Sequence, residues 1–211
     1  MAKPARGRGS YDRTQTTDER RTTRVEHVLD IATAVFAARG YAGTRADDIV
    51  AAAGISKRTL YEDFESVAAI IEAIYERAVR TSFAIVIERL APIRDPIEQI
   101  HAGVAAYLEG IAHNPAAARV VFEEYRLAGP AQAARYELNT MRYVTMLLQS
   151  LVGAHAAGRL ARAPDEASVY ALTKGIEAVA MRAIHRGEHA QLAAHASRLG
   201  ELVIDAFGGA T

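Results

Sequence analysis

Residues 44–61 read TRADDIVAAAGISKRTLY, and the turn chemistry of this stretch decides the fold. Thr44 is suited to cap a short helix, with Asp47 three residues later completing a capping-box pattern. Gly54 stands where the chain must reverse sharply, because glycine enters left-handed backbone conformations without a steric penalty. Ser56 then caps a second short helix, and Ile55 before it and Leu60 within it are spaced as a hydrophobic staple. Two short helices, at about 45–52 and 56–62, therefore flank a turn of roughly three or four residues, which is a helix-turn-helix. Ile49, Ala52, Ile55 and Leu60 supply the small core between them.

In such a motif the N-terminal residues of the second helix reach base edges in the major groove. Here that helix presents Lys57, Arg58, Thr59 and Tyr61. Lysine and arginine donate to guanine, while a threonine or tyrosine hydroxyl bonds phosphate oxygens or lies against a thymine methyl. Ser56 and the open amides at the helix start favour a phosphate. A plain capped, solvated first turn is the competing reading of SKRT, and the longer context decides between them.

Outward from this stretch, the pattern stays helical and no alternating strand pattern intervenes. A helix at about 20–39 places Val25, Val28, Leu29, Ala32, Val35 and Phe36 on one face and stops at Gly40. Beyond the motif, helices are expected at about 66–90, 95–113, 115–128, 131–157, 165–186 and 189–207, with Pro115 and Pro130 suited to first turns. The expectation is an all-α chain of nine helices. Residues 1–19 read as a flexible arm, 20–65 as a helix-turn-helix domain, and 66–211 as a ligand-binding and dimerisation domain.

Composition bounds the function. The 211 residues contain no cysteine, which removes disulfides, thiol catalysis and cysteine-ligated metal. The first 20 residues lack the apolar stretch of a secretory signal, and no run of about 18 apolar residues occurs, so no membrane partner and a cytoplasmic location are expected. Net charge is zero; residues 1–24 carry seven bases against three acids, but residues 1–64 are only two charges basic. Charge alone gives little support to DNA binding. HRGEH at 185–189 matches the H-x-x-E-H pattern of some zinc peptidases, but Gly187 falls at a helix break, whereas that chemistry needs both histidines on one helix face. There is no Gly-rich phosphate loop, G-x-S-x-G or dinucleotide fingerprint. No catalytic residue, metal or cofactor is expected.

Residues 24–70 closely resemble the TetR family of repressors. The likeness is carried by RVEHVLDIATAVF at 24–36, Gly40, Tyr41, Thr44, IVAAAGISKRTLY at 49–61 and EDFES at 62–66. It implies a homodimer that places one recognition helix in each half of a palindromic double-stranded DNA operator, with contacts at Thr44, Arg45, Ser56, Lys57, Arg58, Thr59 and Tyr61. Glu62, Asp63 and Val67 depart from the family pattern; two carboxylates replace neutral or basic groups and a valine replaces a phosphate-binding lysine. Carboxylates near phosphates repel, unless they face elsewhere, as Glu62 does if it meets Arg58 at i, i+4. The resemblance also implies a small-molecule effector held in the helical body. Phe83, Ile87, Tyr107, Ile111, Phe122, Tyr125, Met141, Tyr143, Met146, Tyr170, Glu177 and Met181 are candidates for an apolar or amphipathic ligand, against the plainer reading of each as core. A TetR-like ligand- or protein-binding module with weakened DNA binding is the alternative. In the last helix Leu192, Ala196, Leu199, Val203 and Ala206 form a narrow stripe, matched by Val169, Leu172, Thr173, Ile176 and Ala180 in the helix before it. That stripe suits a four-helix dimer interface or packing within one subunit.

Overall fold

A computed structural model describes residues 17–208 of the chain. Most of the expected arm therefore lies outside the described residues, and the first helix begins at Thr17. Nine α-helices follow one another among the described residues: α1 Thr17–Arg39, α2 Ala46–Ala53, α3 Lys57–Asp63, α4 Val67–Leu90, α5 Pro96–His113, α6 Pro115–Arg119, α7 Pro130–Ala156, α8 Glu166–His185 and α9 Leu192–Asp205. The fold is all-α with an N-terminal helix-turn-helix, as the sequence led us to expect. The expected 115–128 helix is not uniform. After α6 it widens into a six-residue π-helical segment, Val120–Tyr125, a rare geometry that concentrates at functional sites.

Side-chain caps set the helix starts. The Ser66 hydroxyl accepts from Ala69 N–H at α4, the Asp95 carboxylate takes the amides of Ile97 and Glu98 at α5, and Asn114 and Asp165 do the same at α6 and α8. These bonds satisfy amides that have no partner within the helix. Thr44 is the exception to our reading. Arg45, not Thr44, occupies the cap position of α2, and Asp48, not Asp47, reaches back to the Arg45 amide at 2.9 Å. The Thr44 hydroxyl instead donates to Gly40 O at 2.7 Å, which pulls the residue inward.

Two apolar cores result. In the first, Val28, Leu29, Ala32 and Phe36 of α1 close on Ile49, Leu60 and Phe64 and on Ile70, Ile71 and Ile74 of α4; Val120, Val121 and Tyr125 join from the π-helical segment. The second is organised around α5, which packs against α4, α7, α8 and α9 and buries Ile100, Val104, Leu108 and Ile111. Leu192, Ala196 and Val203 of α9, and Val169, Thr173, Ile176 and Ala180 of α8, are buried within this subunit. The stripe thus packs internally, the second of its two readings. A 3.5-residue period marks a buried face but does not say which chain buries it.

One ion pair joins the end of α3 to α1. The Asp63 carboxylate, 1% exposed, meets Arg24 Nε at 2.6 Å and Arg21 Nε at 3.0 Å. Hydrogen bonding to Arg24, seconded by Arg21, outweighs burial and holds the Asp63 carboxyl below the usual carboxylate range. A depressed folded-state value contributes stability that is present above the unfolded value of about 3.9 and is lost as pH falls through the folded one. Asp63→Asn is expected to cost about 2 kcal/mol at neutral pH, because Arg24 is left partly buried without its anion. Thermal melts should show the gap between variant and wild type narrowing below about pH 4.

Candidate functional site

The turn between α2 and α3 is locked from within. Gly54 adopts φ +67°, and Ile55 N–H returns to Val50 O at 3.2 Å. The Ser56 hydroxyl accepts from Thr59 N–H at 3.1 Å. Ile49 and Leu60 are fully buried, so α3 is held by one face and can show only the other. That outer face carries exposed Ser56, Lys57, Arg58 and Tyr61, the last 51% exposed, with Thr59 half-buried beside Ser56. Of the remaining candidates, Arg45 is exposed, whereas Thr44 is buried with its hydroxyl engaged.

Three cations on or beside this surface are partnered by carboxylates. Lys57 Nζ lies 2.7 Å from Asp47, Arg58 Nε 3.2 Å from Glu62, and Arg39 Nη1 2.6 Å from Asp48. The Asp47 carboxylate raises the Lys57 ammonium above its ordinary value, so that it stays charged.

The helical body holds two cavities, each open at a mouth. The larger, about 1020 Å³ with its mouth, lies between α4, α5, α6, the π-helical segment and α7; Ile74, Ser82, Ile111 and Phe122 are on its wall. The smaller, about 540 Å³ with its mouth, is an apolar slot among α4, α5, α7 and α8 that reaches Met146. Tyr107 and Tyr143 line both. Burial pushes the Tyr143 hydroxyl up to about 12 and Tyr107 well above its ordinary value, so both stay neutral.

Five of the twelve candidate ligand residues are therefore brought together at cavity walls. The others are placed elsewhere. Phe83 stacks behind Tyr143, with centroids 4.2 Å apart. Tyr125 stacks on Tyr75 at 3.7 Å and donates to Glu72, facing the first core. Met141 and Met181 pack in the body core. Tyr170 donates to Glu137, and Glu177 is held by Lys174 at 2.6 Å. Ile87 is 56% exposed on the outer side of α4. Sequence reading missed the polar wall residues Ser82 and Asn139, and it missed Gly103 and Gly110. The glycines carry a signal in their spacing around Tyr107.

Residues 28–74 match the family model for bacterial regulatory proteins, tetR family. The match runs from α1 through the helix-turn-helix into α4, and over those residues the chain is similar to that family. FasR, a helix-turn-helix transcriptional activator of Mycolicibacterium smegmatis, is 32% identical over 123 residues, covering 58% of this chain and 54% of the relative. The chain thus spans about half the length of that curated relative. A tetR-family regulatory protein from Rhodococcus RHA1 shares the fold with a TM-score of 0.77 at 20% identity, over 89% of this chain and 98% of that one. Bacillus subtilis FadR, solved with stearoyl-CoA, does so at 0.73 and 18% identity, over 86% and 98%.

Against the TetR pattern, the unusual acids after α3 acquire a structural explanation. Asp63 turns back onto α1, and Glu62 folds onto Arg58. Val67 packs half-buried against the first core. Two adjacent residues separate structure from surface. Leu60→Ala is expected to cost about 2–5 kcal/mol, whereas Tyr61→Ala should change stability by no more than about 0.5 kcal/mol. Denaturant titration of both variants checks this; a large loss for Tyr61→Ala would mean that its ring serves the fold rather than the surface.

Proposed function

We propose that the protein is a dimeric transcriptional repressor that reads a palindromic DNA operator through α3 and leaves it when a small apolar or amphipathic molecule occupies the body. The observation that carries this reading is the rigid presentation of Lys57, Arg58 and Tyr61 by a helix whose other face is buried. A phosphate or base edge replaces the carboxylate beside each cation when DNA arrives, so the pairs hold the side chains extended beforehand. The acids that favoured the alternative, a module with weakened DNA binding, are drawn onto Arg21, Arg24 and Arg58, which weakens its case.

For the dimer, the outward faces of α8 and α9 are the surfaces left over: Gly175, Val179 and Leu202 are exposed there, the last two at 37% and 49%. A two-fold pairing of these faces sets the spacing of the two α3 helices, as half-sites one helical turn apart require. Release follows from α4. It contributes Ile70 and Ile71 to the first core and Ala78 and Ser82 to the larger cavity, so an occupant acts on the helix that carries the reading head. The stearoyl-CoA held by FadR suggests an acyl chain as the effector class here. We assign the protein to the cytoplasm, where the operator is; among the described residues no helix is long and apolar enough to cross a membrane.

Gel shifts with DNA flanking the protein's own gene test the assignment. A discrete dimer complex is expected, weakened by Lys57→Ala and by Tyr61→Ala, with Lys57→Ala lowering the log–log salt slope by about one. Binding that survives both changes undiminished would place the reading surface elsewhere, and absence of any complex with ligand binding intact would favour the module reading. Deleting the gene should raise transcription from the bound promoter; a fall would make the protein an activator, as FasR is named. Val179→Glu with Leu202→Glu should give monomers in sedimentation velocity while retaining the helical circular-dichroism spectrum.

A further inference from the structure

The residues shared by the two cavities all lie at one place. Tyr107 of α5 and Tyr143 of α7 meet edge-to-face, with centroids 5.1 Å apart, and form the partition between the larger cavity and the apolar slot. The two rings are not held alike. Tyr143 donates to the Ser82 hydroxyl at 2.7 Å and stacks on Phe83, with Arg142 over the far ring of that stack. Tyr107 makes no hydrogen bond among the described residues; its ring meets that of Tyr143. One ring is fixed and the other is kept in place by packing.

The sequence around the loosely held ring is GVAAYLEG, residues 103–110. Positions 103, 107 and 110 share one helix face at i, i+4 and i+7. Gly103 lines the slot and Gly110 lines the larger cavity, so Tyr107 has a side-chain-free position one turn away on each side. A Cβ built on Gly110 would meet nothing within 4 Å, and one on Gly103 would meet Leu90 at an ordinary 3.8 Å. Close packing of α5 therefore does not require either glycine, although glycine inside a helix costs roughly 0.5–1 kcal/mol against alanine. The room they leave lies along the cavity wall.

The two compartments also differ in chemistry. In the slot, the polar groups other than the Tyr107 hydroxyl are already satisfied within the protein: Gln99 donates to Ile93 O, the Ser150 hydroxyl bonds Gln99, the Thr173 hydroxyl bonds Val169 O, and Tyr143 donates to Ser82. What remains for a guest is hydrocarbon from residues such as Leu90, Val104 and Met146. In the larger cavity, Asn139 Oδ1 is buried without a partner, and Arg77 and Asp30 stand on the wall.

We propose that the two cavities are successive halves of one long-chain site: an acyl chain enters through the larger cavity, keeps its polar head there, and displaces the Tyr107 ring towards the flanking glycines to run its tail past Tyr143 into the slot. The inference rests on the effector reading of the body and adds to it a gate and a length requirement. Gly103 and Gly110 lie about 10 Å apart along α5, so short chains fill the first half only and long chains engage both.

Calorimetric titration of the full-length protein with saturated acyl-CoAs from hexanoyl to stearoyl, repeated with the free acids, tests it. For wild type, affinity is expected to tighten about fourfold per added methylene into the longest chains, as burial of hydrocarbon predicts. Gly103→Leu should follow wild type for short chains and then stop gaining, ending tenfold or more weaker at stearoyl, a deficit that blocking only a few methylenes produces at about fourfold each. Gly110→Leu should weaken every length, and Tyr107→Ala should let medium chains bind more tightly than in wild type. Melting curves confirm that each variant is folded, and Gly103→Ala serves as the mild version should Gly103→Leu melt early. Length profiles of Gly103→Leu and wild type that superimpose would overturn the gate while leaving the effector reading intact. No binding by any chain, as thioester or acid, would overturn both. A difference between the thioester and acid series identifies which head group the larger cavity takes.

Discussion

Glu124 reaches from the π-helical segment to the backbone amide of Tyr41, where its carboxylate accepts a hydrogen bond at 2.6 Å. This amide follows Gly40, which ends α1 with φ +77°, at a point where an added Cβ would stand 3.3 Å from the same carboxylate. An ionised acceptor on a half-buried amide contributes roughly 1.5–3 kcal/mol. More important is what it joins. The next residue, Tyr125, stacks on Tyr75 of α4 and donates to Glu72, which also accepts from Gln132 and Arg135 of α7. The neighbours on the other side, Val121 and Phe122, line the larger cavity. Six residues of widened helix therefore face the larger cavity, the end of α1, and α4 at once. A regular α-helix repeats every 3.6 residues and would distribute these side chains differently.

The electrostatics of the head follow a different logic from those of the junction. Surface pairs such as Lys57–Asp47 and Arg39–Asp48 add at most about 1 kcal/mol each, being screened and flexible. They matter for geometry: a long cationic side chain held extended loses less freedom when a phosphate or base takes the carboxylate's place. A chain with equal numbers of acids and bases thus keeps Lys57 and Arg58 at this surface paired with carboxylates. The formal sum counts acids that are folded back on their own cations. Asp63 is the clearest case, because its charge is absorbed by α1 and faces away from the exposed side of α3.

The parts legible in the sequence were those set by short-range chemistry. Gly54, Ser56, Ile55 and Leu60 act within a few residues of one another, and the helix-turn-helix read from them is the one found. Pro96, Pro115 and Pro130 likewise mark helix starts whatever the tertiary context. Thr44 was misread because two neighbouring carboxylates, Asp47 and Asp48, offered two capping registers. The carbonyl of Gly40 then supplied a partner for the threonine hydroxyl that no local pattern announces. Long-range questions fared worse for a common reason. Periodicity shows that Leu192, Ala196 and Val203 share a buried face, but it is silent on whether α5 or a second subunit covers them. It could not tell that Ile87 faces outward on α4 while Phe83, one turn earlier, faces Tyr143. The cavity walls were legible only where a bulky apolar or aromatic side chain marked them. Gly103 and Gly110 define the same walls by what they lack, and a missing side chain leaves no mark in a hydropathy pattern.

The junction and the cavities impose opposite demands, and the chain meets them with different residue types. At the junction, Glu72, Glu124, Tyr125 and Arg135 are bound to named partners, so displacing one member breaks several bonds together. Such a network moves as a block or not at all. Around Tyr107 the reverse holds: packing without hydrogen bonds, flanked by glycines, permits a ring to move at little cost. On the proposed reading, a guest that moves Tyr107 deforms its own compartment first, and strain reaches the reading head through the elements that both line the cavity and pack on the first core, α4 and the π-helical segment among them. In the mechanism we propose, softness at the cavity and stiffness at the junction together turn occupancy of an interior site into a change in the position of α3.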